Sequence, residues 1–235
     1  MKNRDTLLRE IQGKLIVSCQ ARPGWAMYGP EIMASFAAAA QEGGAVAIRA
    51  TGKDNIIAIK ERVDLPILAI NKIFDENYDV YITPTFASAK EILDLGVDII
   101  ALDATNRPRP NGETFAGIVT QIRRDYPDTL IMGEISTFSE ASEIMNMDID
   151  LISTTLSGYT EASKEVSRTN LELIRQISHQ THLPVIAEGK IETPEGARLA
   201  LEAGAHAVVV GTSITRPEVI TKRYVDKINE LRGRK

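Results

Sequence analysis

Short aliphatic runs alternate with longer amphipathic stretches along most of the chain. The runs fall at residues 15–19, 46–49, 67–70, 80–83, 99–103, 129–132, 151–153, 184–187 and 207–210. Each is too short for a helix and nearly continuous in apolar residues, which is how strands covered on both faces read. The run at 80–83 begins only ten residues after Ile70, too close for a full helical crossover. It reads as an extended piece of the loop after the third strand, or as a kinked start to its helix. The eight remaining runs are each followed by a helix-length stretch. That alternation predicts an α/β chain folded as a (β/α)8 TIM barrel, one domain over residues 1–235.

An internal repeat fixes the register. Residues 89–103 and 197–211 share one spacing of helix, glycine, strand and polar terminus, and Gly43-Gly44 opens a third copy. Gly96 and Gly204 suit the left-handed residue that ends a helix. With the strands so aligned, their C-terminal ends carry Gln20, Arg49, Lys72, Asp103, Glu134, Thr154-Thr155, Glu188 and Gly211. Barrel chemistry sits at those ends. Converging charges cost solvation, so a purely structural barrel has little use for them.

Two of the ends are built for an anion. Glu188-Gly189-Lys190 follows the seventh predicted strand, and Gly211-Thr212-Ser213 with Arg216 follows the eighth. Glycine lets backbone approach an anion, and a helix start offers unpaired N–H groups. Barrels of this kind hold phosphate after strands 7 and 8, so Gly189, Gly211, Thr212 and Arg216 are the expected phosphate residues, Arg216 in the first turn of the helix opened by Thr212. Lys72 suits a Schiff-base nucleophile, a general base or an ion-pair partner. Glu188 suits a proton donor or acceptor, or a partner for Lys72 or Arg49. Asp103 suits hydrogen bonds to the loop 104–107.

Composition narrows the classes. Hydrophobic residues make up 43% and charged residues 25%, the balance of an ordinary globular domain. A net charge of −5 argues against nucleic acid as a partner. No apolar run reaches the ~20 residues that span a bilayer, and the N-terminus lacks the apolar core of a signal peptide. Cys19 is the sole cysteine; it suits a reducing cytoplasm and reads as a buried, inert thiol. His179, His182 and His206 precede strands and so lie toward the wrong end of the barrel. No Cys/His/carboxylate set has metal-site spacing, and no dinucleotide fingerprint stands in a strand–turn–helix setting. Neither a metal nor another cofactor is expected.

Taken together, the segments Ser18–Ala21, Gly43–Ala50, Ala101–Thr105, Thr154–Thr160, Ala187–Ile191 and Gly211–Pro217 resemble the N-acetylmannosamine-6-phosphate 2-epimerase family, in family order across nearly the whole chain. The resemblance implies a cytoplasmic, cofactor-independent enzyme of sialic acid breakdown. It would interconvert N-acetylmannosamine 6-phosphate and N-acetylglucosamine 6-phosphate, with homodimers common among relatives. It matches Lys72 to the lysine that moves the C2 proton and Glu188 to the catalytic glutamate. It matches Gln20 and Arg49 to substrate binding, a role in which Asp103, Glu134 and Thr155 are also expected. Gly189, Gly211, Thr212 and Arg216 match its phosphate site. Glu134 stands where relatives usually have aspartate, Arg22 where they have leucine and Lys190 where they have arginine. Ile73-Phe74-Asp75 replaces a basic-Asp-Tyr run after the lysine. Another phosphosugar isomerase, an aldolase-like barrel using Lys72 as a Schiff base, and a non-catalytic phosphosugar sensor are the competing readings.

Overall fold

A computed structural model describes residues 3–231. Its eight parallel strands are β1 (Leu15–Cys19), β2 (Ala47–Thr51), β3 (Ile67–Ile70), β4 (Ile99–Asp103), β5 (Leu130–Glu134), β6 (Leu151–Ser153), β7 (Val185–Glu188) and β8 (Ala207–Val210). They pair in sequence order, and β8 returns to β1, so the barrel closes. Helix α1 (Arg4–Ile11) precedes β1. The helices that follow β1 to β7 in turn are α2 (Pro30–Glu42), α3 (Lys53–Arg62), α4 (Phe86–Leu93), α5 (Phe115–Asp125), α6 (Phe138–Ile144), α7 (Leu171–Gln180) and α8 (Pro194–Glu202). After β8 come α9 (Thr212–Thr215) and α10 (Pro217–Asn229).

Alternation along each strand splits the apolar residues into two cores. Outward residues such as Val17, Ile48, Ile100, Ile131 and Val208 pack under the helices. Inward residues such as Ile16, Ala47, Leu68, Ile99, Met132, Leu151, Ile186 and Val209 fill the barrel. Leu7 and Ile11 of α1 join that inner core, and His206 Nε2 lies 2.8 Å from the Leu8 carbonyl. The N-terminal end is therefore plugged by α1, and His206 belongs to that plug. Several helices start on side-chain caps: Thr85, Thr114, Thr137, Asn170 and Thr193 each accept a backbone N–H from the first turn, a contact worth about 1 kcal/mol. No described helix is long and apolar enough to cross a membrane.

The strand bounds differ from the sequence reading where polar residues extend a run. β2 continues through Arg49 to Thr51, β5 to Glu134 and β7 to Glu188. A polar side chain ends an apolar run, whereas inside a barrel mouth it continues the inward parity of the strand. The segment 80–83 does lie in the loop after β3, as an extended piece. It is wedged where β3 and β4 part, since those strands pair only at Leu68–Ile99 and Ala69–Ile100. Ile82 forms an antiparallel bridge with Lys72 and its carbonyl accepts from Asp103 N–H at 3.1 Å. Thr83, at φ 45°, donates its hydroxyl to the Ala101 carbonyl at 2.7 Å.

Candidate active site

Inward parity carries the site. Two residues beyond the apolar filling, the same faces present Ser18, Arg49, Glu134, Ser153 and Glu188, with Ser18 beside Arg49 and Glu134 beside Ser153 in register. Above them opens a cavity of about 370 Å³, within the usual size of a small-molecule site. Gln20, Arg49, Lys72, Thr155, Glu188, Gly189, Gly211, Thr212 and Arg216 line it. All are residues expected from sequence.

Arg49 is the hub and is 1% exposed. Its Nη1 lies 2.5 Å from Glu134 Oε1, donates to Glu188 Oε2, and is 3.4 Å from Thr155 Oγ1. Burial opposes its charge, and the two carboxylates outweigh that and hold the guanidinium charged. Thr155 also donates to Glu188 Oε2 at 3.3 Å. Thr154 Oγ1 takes the Glu188 N–H at 3.2 Å and donates to its carbonyl at 3.0 Å. Both ends of Glu188 are thus fixed from β6. Burial raises the Glu188 carboxyl above the carboxylate range to about 7, with Arg49 opposing and Glu134 adding to the rise. Such a group carries a proton near neutrality.

Lys72 stands on the opposite side of the mouth, since β3 and β7 are four strands apart in the closed order. Its backbone N–H is held by Thr51 Oγ1 at 3.2 Å. Among the described residues no carboxylate lies within ion-pair distance of its amine, so the ion-pair reading of Lys72 does not hold. Burial, then the Arg49 charge, lowers its pKa to about 8. The amine is neutral in a useful fraction of molecules at physiological pH.

Asp103 and Glu134 do not reach the cavity wall. Asp103 accepts from Thr105 N and Oγ1 at 2.9 and 2.6 Å and from Arg107 Nη2 at 2.6 Å. Arg109 donates to its carbonyl. It therefore ties the loop after β4, the orienting role that was the other option for it, and does not line the cavity. Glu134 is wholly buried behind Arg49, so it acts on the site through that guanidinium. The extra methylene over aspartate lets it reach Arg49 from β5. Among the described residues its Oε2, Arg49 Nε and Gln20 Oε1 have no hydrogen-bond partner. Gln20 Nε2 donates to Ser18 Oγ at 2.7 Å, which leaves its oxygen as an acceptor at the wall.

The anion side is formed by two turns. Gly189 has φ 107° and Lys190 φ 55°, a left-handed pair that costs glycine little. A Cβ on Gly211 would sit 3.1 Å from Ser18 Cβ, so a side chain there would press on Ser18 where β8 meets β1. The first N–H groups of α9 have no intrahelical acceptor. Thr215 Oγ1 donates to the Ser18 carbonyl at 2.8 Å and anchors α9. Arg216 is not in the first turn of a helix: it separates α9 from α10, because Pro217 cannot continue α9. Its guanidinium lies 3.7 Å from the Trp25 ring centroid and 2.7 Å from Glu218 Oε1.

Sequence reasoning missed Arg223 and Tyr81, which also line the cavity. Arg223 Nη1 reaches Ser213 Oγ at 3.3 Å; its spacing of seven from Arg216 was the available signal. Tyr81 lay in the discounted run at 80–83. Cys19 is buried among outer-core residues, and burial raises its thiol to about 12. Among the described residues no three His, Cys, Asp or Glu side chains could hold a metal ion.

Comparison with known proteins places this arrangement. Residues 33–230 match the NanE family model, described as "Putative N-acetylmannosamine-6-phosphate epimerase". A protein of Caldanaerobacter subterraneus subsp. tengcongensis is 47% identical over 226 residues, 96% of this chain and 95% of its own. One of Latilactobacillus sakei is 42% identical over 98% of this chain and all of its own length. Both are named "Putative N-acetylmannosamine-6-phosphate 2-epimerase". The solved structure of the N-acetylmannosamine-6-phosphate 2-epimerase from Clostridium perfringens superposes with a TM-score of 0.91 at 42% identity, covering 96% of this chain and 98% of that one. With its barrel, its charged mouth and its match to that model over most of its length, the chain belongs to the N-acetylmannosamine-6-phosphate epimerase family.

Proposed function

We propose that this enzyme interconverts N-acetylmannosamine 6-phosphate and N-acetylglucosamine 6-phosphate, with Lys72 moving the C2 proton. The observation that carries the assignment is the half-buried Lys72, free of any ion pair among the described residues, across the mouth from a Glu188 that burial moves toward its protonated form, with two glycine turns beside them.

The sugar must open before its C2 hydrogen lies next to an aldehyde and becomes acidic. As the bond from C1 to the ring oxygen breaks, Glu188 gives its proton to the ring oxygen and takes up the O1 hydroxyl proton, and closing reverses this. Neutral Lys72 then takes the C2 proton, and negative charge moves onto O1. Arg49 and the protonated Lys72 are the donors placed to stabilise it. Rotation of the open-chain intermediate turns the other face of C2 toward the Lys72 ammonium, which returns the proton and gives the epimer. The 6-phosphate sits on the N–H groups around Gly189, Gly211 and Thr212, with Arg216 adding a charge-assisted contact. No step calls for a redox cofactor. On the family resemblance, the reaction belongs to cytoplasmic amino-sugar and sialic acid breakdown.

Residues 1–235 are proposed to form one domain, supported by the closed strand order and by α1 plugging the inner core. A homodimer is proposed from surface chemistry. Helix α10 has no buried residue and leaves Tyr224, Val225 and Ile228 exposed. A largely apolar cavity bounded by Leu15, Ala197, Leu201, Val208, Val210 and Ile214 lies open. These are surfaces that a second copy would cover. Chromatographic separation of the two epimers after incubation with either one tests the reaction. An equilibrium mixture from both directions is expected, and recovery of unchanged sugar from both would refute it.

A further inference from the structure

We propose that Arg22 is a positioning residue for this reaction: held against the rings of Phe74 and Trp25, it locks the loop after β1 to the loop after β3 across the mouth and fixes a positive charge facing Lys72. The Arg22 guanidinium carbon lies 4.8 Å from the Phe74 centroid and 5.7 Å from that of Trp25, both within cation–π range. Phe74 stacks on Tyr81 with centroids 5.2 Å apart and planes 18° from parallel. The Tyr81 centroid is in turn 5.9 Å from Lys72 Nζ. At the other end, Arg216 lies 3.7 Å from the Trp25 centroid. One continuous series of ring and cation contacts therefore runs from the proposed base to the proposed phosphate arginine.

Trp25 and Phe74 belong to neither apolar core, while Tyr81 packs against the inner one. Phe74 is 57% exposed, an unusual place for a large aromatic side chain unless it holds a partner. The charged or titratable groups that face Lys72 are Arg49 from β2, Glu134 from β5, Glu188 from β7, Tyr81 from the wedged segment and Arg22 from the first loop. After burial and Arg49, Arg22 is the remaining cation that favours the neutral amine, while the two carboxylates oppose it. A clamp that fixes Arg22 therefore keeps Lys72 ready to accept a proton and holds the wall around it.

This inference rests on Lys72 being the base, so its test includes two readings that need no turnover. Trp25 is the only tryptophan in the chain, and its fluorescence reports the clamp directly. In Arg22→Met, acrylamide should quench Trp25 more strongly than in the unaltered enzyme. The Lys72 side chain, followed by NMR without substrate and assigned with Lys72→Met, should titrate higher by roughly half a unit, the size expected of one partly screened charge. The acid limb of kcat/KM should move up with it, lowering the rate below the limb about threefold. Arg22→Lys should restore the titration and the limb. Phe74→Leu should raise quenching and loosen the limb while leaving the charge in the chain. Unchanged quenching in Arg22→Met overturns the clamp. Raised quenching with an unmoved Lys72 titration or limb overturns the positioning role. If the unaltered enzyme failed to epimerise, the functional reading would fall, and quenching and titration would still decide the clamp.

Discussion

At the residue scale the account turns on two proton carriers with different surroundings. Lys72→Met keeps most of the side-chain volume and removes the base. Turnover should fall by at least ~10³-fold, within the range of general acid–base catalysis, while substrate binding by calorimetry persists. The active form needs a neutral Lys72, which burial lowers to about 8, and a protonated Glu188, which burial raises to about 7, so kcat/KM should be bell-shaped with its maximum between those values, rising as Lys72 loses its proton and falling as Glu188 loses its own. A profile flat from pH 6 to 9 would contradict the assignment. Glu188→Gln should slow C2 hydrogen exchange and epimerisation together, roughly 10²-fold or more, if Glu188 serves ring opening. Exchange surviving without epimerisation would make it a second C2 base instead. Lys72, Glu188, Arg49 and Gln20 were legible because parity and motif order placed them at strand ends. The orienting role of Asp103 was legible only as one option, because the partners that fill its oxygens, Thr105 and Arg107, follow from the fold of one loop.

Among the elements, the proposed anion site depends on a break that the apolar pattern does not show. Pro217 ends α9 and leaves Arg216 between two helices, stacked on Trp25 and paired with Glu218. Arg216→Ala should weaken binding of the 6-phosphate sugar by about 10- to 150-fold, the worth of one charge-assisted hydrogen bond. It should leave the already poor reaction of the unphosphorylated sugar nearly unchanged. Equal loss for both sugars would make Arg216 structural, its pairing with Glu218 being the reason. The wedge at 80–83 teaches the same lesson. Its apolar run was visible, but its position between β3 and β4, which brings Tyr81 to the wall, depends on pairing with Lys72 before it and Asp103 beyond the next helix.

Over the whole molecule, one alternation explains both stability and chemistry. Inward residues fill the lower barrel with aliphatic side chains, and the next inward layer is polar and charged. That order was readable from the runs and glycine turns, as was the eightfold alternation. The bare face of α10 was not, because a helix at a chain end shows its amphipathic pattern without showing what it covers. Light scattering after size-exclusion chromatography should give twice the mass of one chain, and Tyr224→Lys with Ile228→Glu should shift the species toward monomer. A monomer in the unaltered protein would refute the dimer. A proton NMR time course in D2O with N-acetylmannosamine 6-phosphate follows C2 proton transfer by Lys72 as it happens. N-acetylglucosamine 6-phosphate with deuterium at C2 should appear with the unaltered enzyme, and neither product nor exchange with Lys72→Met. Epimerisation by Lys72→Met at near-normal rate, or no product from the unaltered enzyme, would contradict that role of Lys72.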